Sequence, residues 1–116
     1  MKRRLILCLV PALVVYLSGC ASSQQALYAW GSYETQVYAY LQEGKSPEAQ
    51  IEALERDQEK IEASGKTALP GFYAHLGMLY ANVGNDAKAI ACFVTEKTRF
   101  PEATPFMDFL LKKYQK

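Results

Sequence analysis

Cys20 divides the chain, and only the residues after it are available to fold. Ahead of it, Met1-Lys2-Arg3-Arg4 carries the positive charge, Leu5 to Leu17 forms an apolar run interrupted by Pro11, and Ser18 and Gly19 are small. A basic start, an apolar middle and a small-residue exit make up the order of a secretory signal peptide. The apolar run is too short for a permanent membrane helix, which needs roughly 20 residues. With residues 1–19 read as a removable signal, 97 of the 116 residues remain. They carry ten Lys and Arg against twelve Asp and Glu, so the +1 of the precursor becomes −2. A body of this size makes one small domain. It leaves no room for a doubly wound cofactor fold with its own catalytic domain. Its acidic balance, with no basic cluster, argues against nucleic acid as a partner.

The stretch Leu17-Ser18-Gly19-Cys20 resembles the bacterial lipobox. Its small residues let the strand enter a peptidase, and its thiol takes the diacylglycerol. The resemblance implies cleavage between Gly19 and Cys20, a covalent lipid on Cys20 as the sole attached group, and a membrane partner through that anchor. Ala21 stands where an Asp would retain such a protein in the inner membrane. The expected location is therefore the outer membrane, facing the periplasm by default, with surface exposure as the alternative. Residues 20–30 read as a short lipidated tether. Cys8 leaves with the signal and Cys20 is acylated, so Cys92 is the one thiol left and no internal disulfide can form. Its setting, Ala89-Ile90-Ala91-Cys92-Phe93-Val94, predicts a small core residue rather than a reactive thiol.

The body reads as all-α. Strand signals are missing, whereas apolar residues recur at spacings of three and four. Five helices are expected. The first covers about 31–42 and stops at Glu43-Gly44-Lys45. The second opens at Ser46-Pro47, a cap followed by proline at the first helical position, and ends at Ser64-Gly65. The third begins at Pro70 and ends at Val83-Gly84, the fourth covers about 86–99, and Thr104-Pro105 opens the last.

Tyr73-x2-Leu76-Gly77-x2-Tyr80, then Ala89-x3-Phe93, then Pro101 resembles one tetratricopeptide repeat. In that reading Gly77 and Ala89 are small so that two antiparallel helices approach closely, Tyr80 and Phe93 fill the space beside them, and Pro101 ends the unit. Gly44-Lys45-Ser46-x2-Ala49 aligns with Gly84-Asn85-Asp86-x2-Ala89, forty residues on, which makes the upstream half a degenerate copy. Tyr33, Val37 and Tyr40 then take the places of Tyr73, Gly77 and Tyr80, and Ala53 that of Phe93. The expected organisation is repeat one at about 31–64, repeat two at about 70–103 and a capping helix at about 104–115, in a domain of residues 31–116. Two repeats and a cap are few, because repeat units do not bury their faces alone. A protein partner or a second copy of the chain is therefore expected to complete the fold, unless its thirteen mature aromatic residues seal it.

In tetratricopeptide proteins the first helix of each pair lines a groove. The same register places Glu34, Tyr38, Leu41 and Gln42 from the first copy there, with Ala74, Met78, Ala81 and Asn82 from the second. Catalysis finds no support. His75, the single histidine, has no Cys or carboxylate at metal-ligand spacing in its helix, so no metal is expected. Glu48, Glu52, Glu55, Glu59 and Glu62 lie along one helix face and read as a solvated stripe. No triad, dyad or phosphate loop is present, and the chain is not expected to be an enzyme.

Lipobox, short tether, Tyr-rich first helix and the closing Phe100-Pro101-Glu102 with Phe106-Met107-Asp108-Phe109-Leu110-Leu111 together resemble a family of uncharacterised bacterial lipoproteins with a tetratricopeptide-like body. Such proteins tend to be encoded beside a lipoprotein similar to the curli secretion channel subunit. The resemblance implies an adaptor or assembly factor for an envelope complex. The alternative is a periplasmic binding module that holds a small apolar or glycan ligand in an aromatic pocket.

Overall fold

A computed structural model describes residues 26–42 and 44–115. The expected signal segment, the lipobox and Cys20 lie outside the described residues. Five α-helices follow a short strand: β1 (Tyr28–Ala29), α1 (Tyr33–Leu41), α2 (Pro47–Ser64), β2 (Thr67–Ala68), α3 (Phe72–Asn82), α4 (Asp86–Arg99) and α5 (Thr104–Leu111). Single 3-10 turns, Pro101–Ala103 and Lys112–Tyr114, flank α5. Each helix packs on the next. Among the described residues no helix is long and apolar enough to cross a membrane.

The boundaries follow local chemistry. At the start of α2, Ser46 Oγ accepts the Ala49 N–H at 3.3 Å and Pro47 sets the first helical φ. Gly65 ends that helix in the left-handed region at φ 66°, which glycine adopts without a Cβ clash. Asn85 Oδ1 accepts the Lys88 N–H at 3.2 Å and so opens α4. The final helix stops at Leu111, earlier than expected, and tightens into its 3-10 turn.

One expectation is corrected. The segment before α1 is not wholly tether, because Tyr28 and Ala29 pair in parallel with Thr67 and Ala68. Such two-residue strands are too short to show an alternation, which is why no strand signal appears in the sequence. In the connection after α2, Ala68 and Leu69 are buried. Thr67 and Ala68 of that connection form the strand that precedes α3.

Helix α3 is central. Phe72, Tyr73, His75, Leu76, Gly77, Leu79 and Tyr80 are all buried, so it is covered on nearly every side. It runs antiparallel to α4: Tyr80 at its end meets Lys88 near the start of α4, and Gly71 before it meets Glu96 in the last turns of α4. A Cβ added at Gly77 would stand 2.6 Å from Phe93 Cε1 and 3.1 Å from Cys92 Cβ, so the two backbones approach as closely as they do only because Gly77 has no side chain. Leu54 and Ile61 from α2, Ala89 and Phe93 from α4, and Met107 and Leu111 from α5 close the core around α3. The last helix covers the stack with buried Met107 and Leu111 and partly buried Leu110. Phe106 and Phe109 point away and are more than half exposed.

Candidate functional site

The surface the sequence nominates lies on α1 and α3. Three aromatic contacts tie them together. Tyr33 lies 6.0 Å from the Phe72 ring and 6.0 Å from His75, and Tyr40 meets His75 edge-on at 5.4 Å. Tyr33, Gln36 and Tyr40 recur at three and four along α1, so that face is turned toward α3. Glu34, Tyr38 and Leu41 then fall on the opposite face. Tyr38 is 63% and Leu41 74% exposed, and exposed Gln42 donates its side-chain amide to Tyr38 Oη at 2.7 Å. On α3, Ala74, Met78 and Ala81 are half-buried and pack at the margin of the core, whereas Asn82 is exposed. The nominated residues therefore divide: tyrosine, leucine and amide stand exposed on the outer face of α1, while Ala74, Met78 and Ala81 lie partly covered on α3.

The residues nominated for repeat packing fall into two groups. Tyr73, Leu76, Gly77, Tyr80, Ala89 and Phe93 are brought together in the core between α3 and α4. Pro101 lies on the surface, where it opens the 3-10 turn that ends the hairpin. In the upstream pair, Val37 and Ala53 are only half-buried. Cys92 is also half-buried rather than sealed in the core, and the burial it has pushes its thiol pKa up to about 11.

Sequence reasoning missed a pair of carboxylates that anchor both nominated helices. Glu96 is buried in α4 and accepts the backbone N–H groups of Gly71 at 2.6 Å, Tyr73 at 3.2 Å and Ala74 at 3.3 Å. It thereby serves the start of α3, which has no side-chain cap of its own. Asp57, buried in α2, takes the Ser32 backbone N–H and hydroxyl, both at 2.6 Å, at the start of α1. Anions are favoured there because helix N-termini leave their first N–H groups unpaired and carry partial positive charge. Gly31-Ser32-Tyr33 and Gly71-Phe72-Tyr73, forty residues apart, are the signal in the sequence. An acid follows each glycine after twenty-six and twenty-five residues respectively.

Electrostatics distinguish one acid in the α2 stripe. Glu55 accepts from the Tyr80 hydroxyl and from Lys88 Nζ at 2.9 Å, which holds its carboxyl below the usual range. Burial, and then that same hydrogen bond, push the Tyr80 phenol up to about 12. The reading of the stripe as merely solvated is corrected at this residue. Glu48, Glu52, Glu59 and Glu62 are exposed. His75 is buried between the two tyrosines with Nε2 unpaired, and burial lowers its pKa. Among the described residues no three His, Cys, Asp or Glu side chains are placed to hold a metal.

A protein family described as a domain of unknown function, DUF4810, matches residues 27–110. No curated protein and no solved structure matches the chain. The match begins one residue before β1 and ends one residue before the end of α5, so it takes in nearly the whole helical body.

Proposed function

The chain belongs to the DUF4810 family; beyond that membership, we propose that it is an envelope lipoprotein that acts as an adaptor or assembly factor. In this reading it is anchored through Cys20 to the outer membrane and engages another envelope protein through the face carried by α1 and α3. The lipobox-like Leu17-Ser18-Gly19-Cys20 supports the anchor. The antiparallel α3–α4 hairpin, closed on Gly77, supports a tetratricopeptide-like reading, with α1–α2 as the first pair and α5 as the cap. One observation carries the interaction role. Helix α1 turns Tyr33 and Tyr40 inward onto α3 and leaves Tyr38 and Leu41 uncovered on its other face.

An aromatic and a leucine free on one helix face, with a polar amide beside them, suit a protein contact, since aromatic side chains dominate the centres of such interfaces. No catalytic role is part of this proposal. A lipoprotein similar to the curli secretion channel subunit is the first partner to test, because of the family resemblance. The test is a photo-crosslinker placed in living cells at Tyr38, at Met78 and, as the opposite-face control, at Glu59. One defined envelope protein captured from Tyr38 and Met78 but not from Glu59 is expected. Capture from Glu59 alone would overturn the face assignment. For the anchor, Cys20→Ala should release the protein from membrane fractions, and normal fractionation of that variant would overturn the lipidation.

A further inference from the structure

Two large apolar side chains flank β1 with little cover: Leu27 is 73% and Trp30 55% exposed. They are held on the body rather than hanging from it, because β1 pairs with β2 and the Trp30 carbonyl accepts the Tyr33 N–H at 3.4 Å. Lys66 lines the same surface hollow as Leu27. Lys60 and Lys66 border a second hollow together with Ala29 and Gly31. Neither lysine enters an ion pair among the described residues. Asp57, the acid in that second hollow, is engaged by Ser32. Exposed Glu59 and Glu62 of α2 line a separate hollow with Glu55 and Gln58.

Leu27 beside Lys66, which enters no ion pair among the described residues, with exposed Trp30 three residues on, matches a bilayer surface. Trp and Leu suit the boundary between headgroups and acyl chains, and lysines reach anionic phosphates. The position of the edge along the chain selects this occupant. Leu27 follows Cys20 by seven residues, which span at most roughly 23 Å even when extended. We infer that this edge of the domain lies on the membrane, with Leu27 and Trp30 at the headgroup–acyl boundary and Lys60 and Lys66 against anionic headgroups. The inference rests on the lipid anchor at Cys20 proposed above. It adds that the domain does not swing on a tether but sits edge-down, which fixes how the outer face of α1 is presented.

Trp30 is the single tryptophan of the chain and so reports directly. The mature lipoprotein is reconstituted into phosphatidylethanolamine–phosphatidylglycerol vesicles, with and without brominated acyl chains, and its tryptophan emission is recorded. A blue shift from the detergent-free soluble emission, quenching by the brominated chains and protection from aqueous acrylamide are expected. In Trp30→Phe/Phe109→Trp, the reporter on α5 should stay water-accessible and escape the brominated lipid. Equal quenching at both positions would overturn the edge-down orientation. A protein whose intact mass carries the acyl chains, but whose Trp30 keeps a water-like emission, overturns the docking and leaves the anchor standing. A mass without acyl chains overturns the anchor, and this docking with it.

Discussion

The carboxylate of Glu96 accepts the backbone N–H of Gly71 at 2.6 Å from twenty-five residues further along the chain. Asp57 holds the matching position for Ser32, also twenty-five residues apart. Helices α1 and α3 are therefore each held at the start by an acid on the helix that follows. Glu96 is only 2% exposed, and its removal strands one buried and two part-buried donors. Glu96→Ala is expected to cost about 2–3 kcal/mol in urea unfolding, since unsatisfied buried donors bear their full desolvation penalty. Glu96→Gln keeps an acceptor oxygen and should lose less. Equal stability of the wild type and Glu96→Ala would refute this role.

Removing Asp57 should act more locally. Helix α1 spans nine residues and buries only Gln36 fully, so its stability comes from docking rather than from its own propensity. Asp57→Ala is predicted to speed amide hydrogen exchange throughout α1 while α3 and α4 keep near-wild-type protection, the signature of a sub-global opening. Uniform acceleration across all helices would show that α1 does not open separately.

Gly77 and Phe93 offer a complementary test. A methyl at Gly77 runs into the Phe93 ring and the Cys92 Cβ, so Gly77→Ala should destabilise by about 1–3 kcal/mol through overpacking, despite alanine's better helix propensity. Phe93→Ala alone should cost about 3–5 kcal/mol. Together they should cost clearly less than their sum, because the ring is what the methyl meets. Strict additivity in thermal or urea unfolding would place the conflict elsewhere.

Much of this framework is legible in the sequence, for reasons that also mark where legibility ends. Ser46-Pro47, Gly65 and Asn85 act on their own neighbours, so the ends of α2 and the start of α4 can be read from a few adjacent residues. Gly77, Ala89 and Phe93 announce a close hairpin by their spacing. Glu96 and Asp57 do not announce themselves, because their partners are backbone N–H groups that any sequence possesses. The direction of α5 is hidden similarly. Its five large apolar residues all suggest burial, but a single helix laid on α4 presents one stripe, and Met107 and Leu111 occupy it. For the candidate face, the inward turn of Tyr33 and Tyr40 is what leaves Tyr38 outside, and packing on Phe72 and His75, distant in sequence, decides that.

His75 should make stability depend on pH. Burial lowers its pKa below the ordinary value of 6.5, so the folded state keeps a neutral imidazole where the unfolded chain takes up a proton. The unfolded state then binds more protons, and stability falls as pH drops from about 6.5 toward the lowered folded value, being complete above that window. The melting temperature is expected to decline across the window. His75→Phe, which keeps an aromatic ring between Tyr33 and Tyr40, should flatten the profile there. An unchanged slope in that variant would assign the effect to another group.

Glu55 and Glu52 lie three residues apart on α2, and charge pattern alone treats them alike. Glu52 pairs with Arg56 at 2.6 Å, but both side chains are well over half exposed, and such pairs contribute little. Glu55 instead joins α2 to α3 and α4 through Tyr80 and Lys88. Its carboxyl is partly solvated, so the expected cost of Glu55→Gln is about 0.5–1 kcal/mol after screening, against less than about 0.5 for Glu52→Gln. The sign with pH comes from its lowered pKa: the contribution is full above about 4.5 and disappears as pH falls through the folded value. The difference between the two variants should therefore close in acid. If urea unfolding finds them equally stable at neutral pH, the Tyr80 contact does not couple these helices energetically.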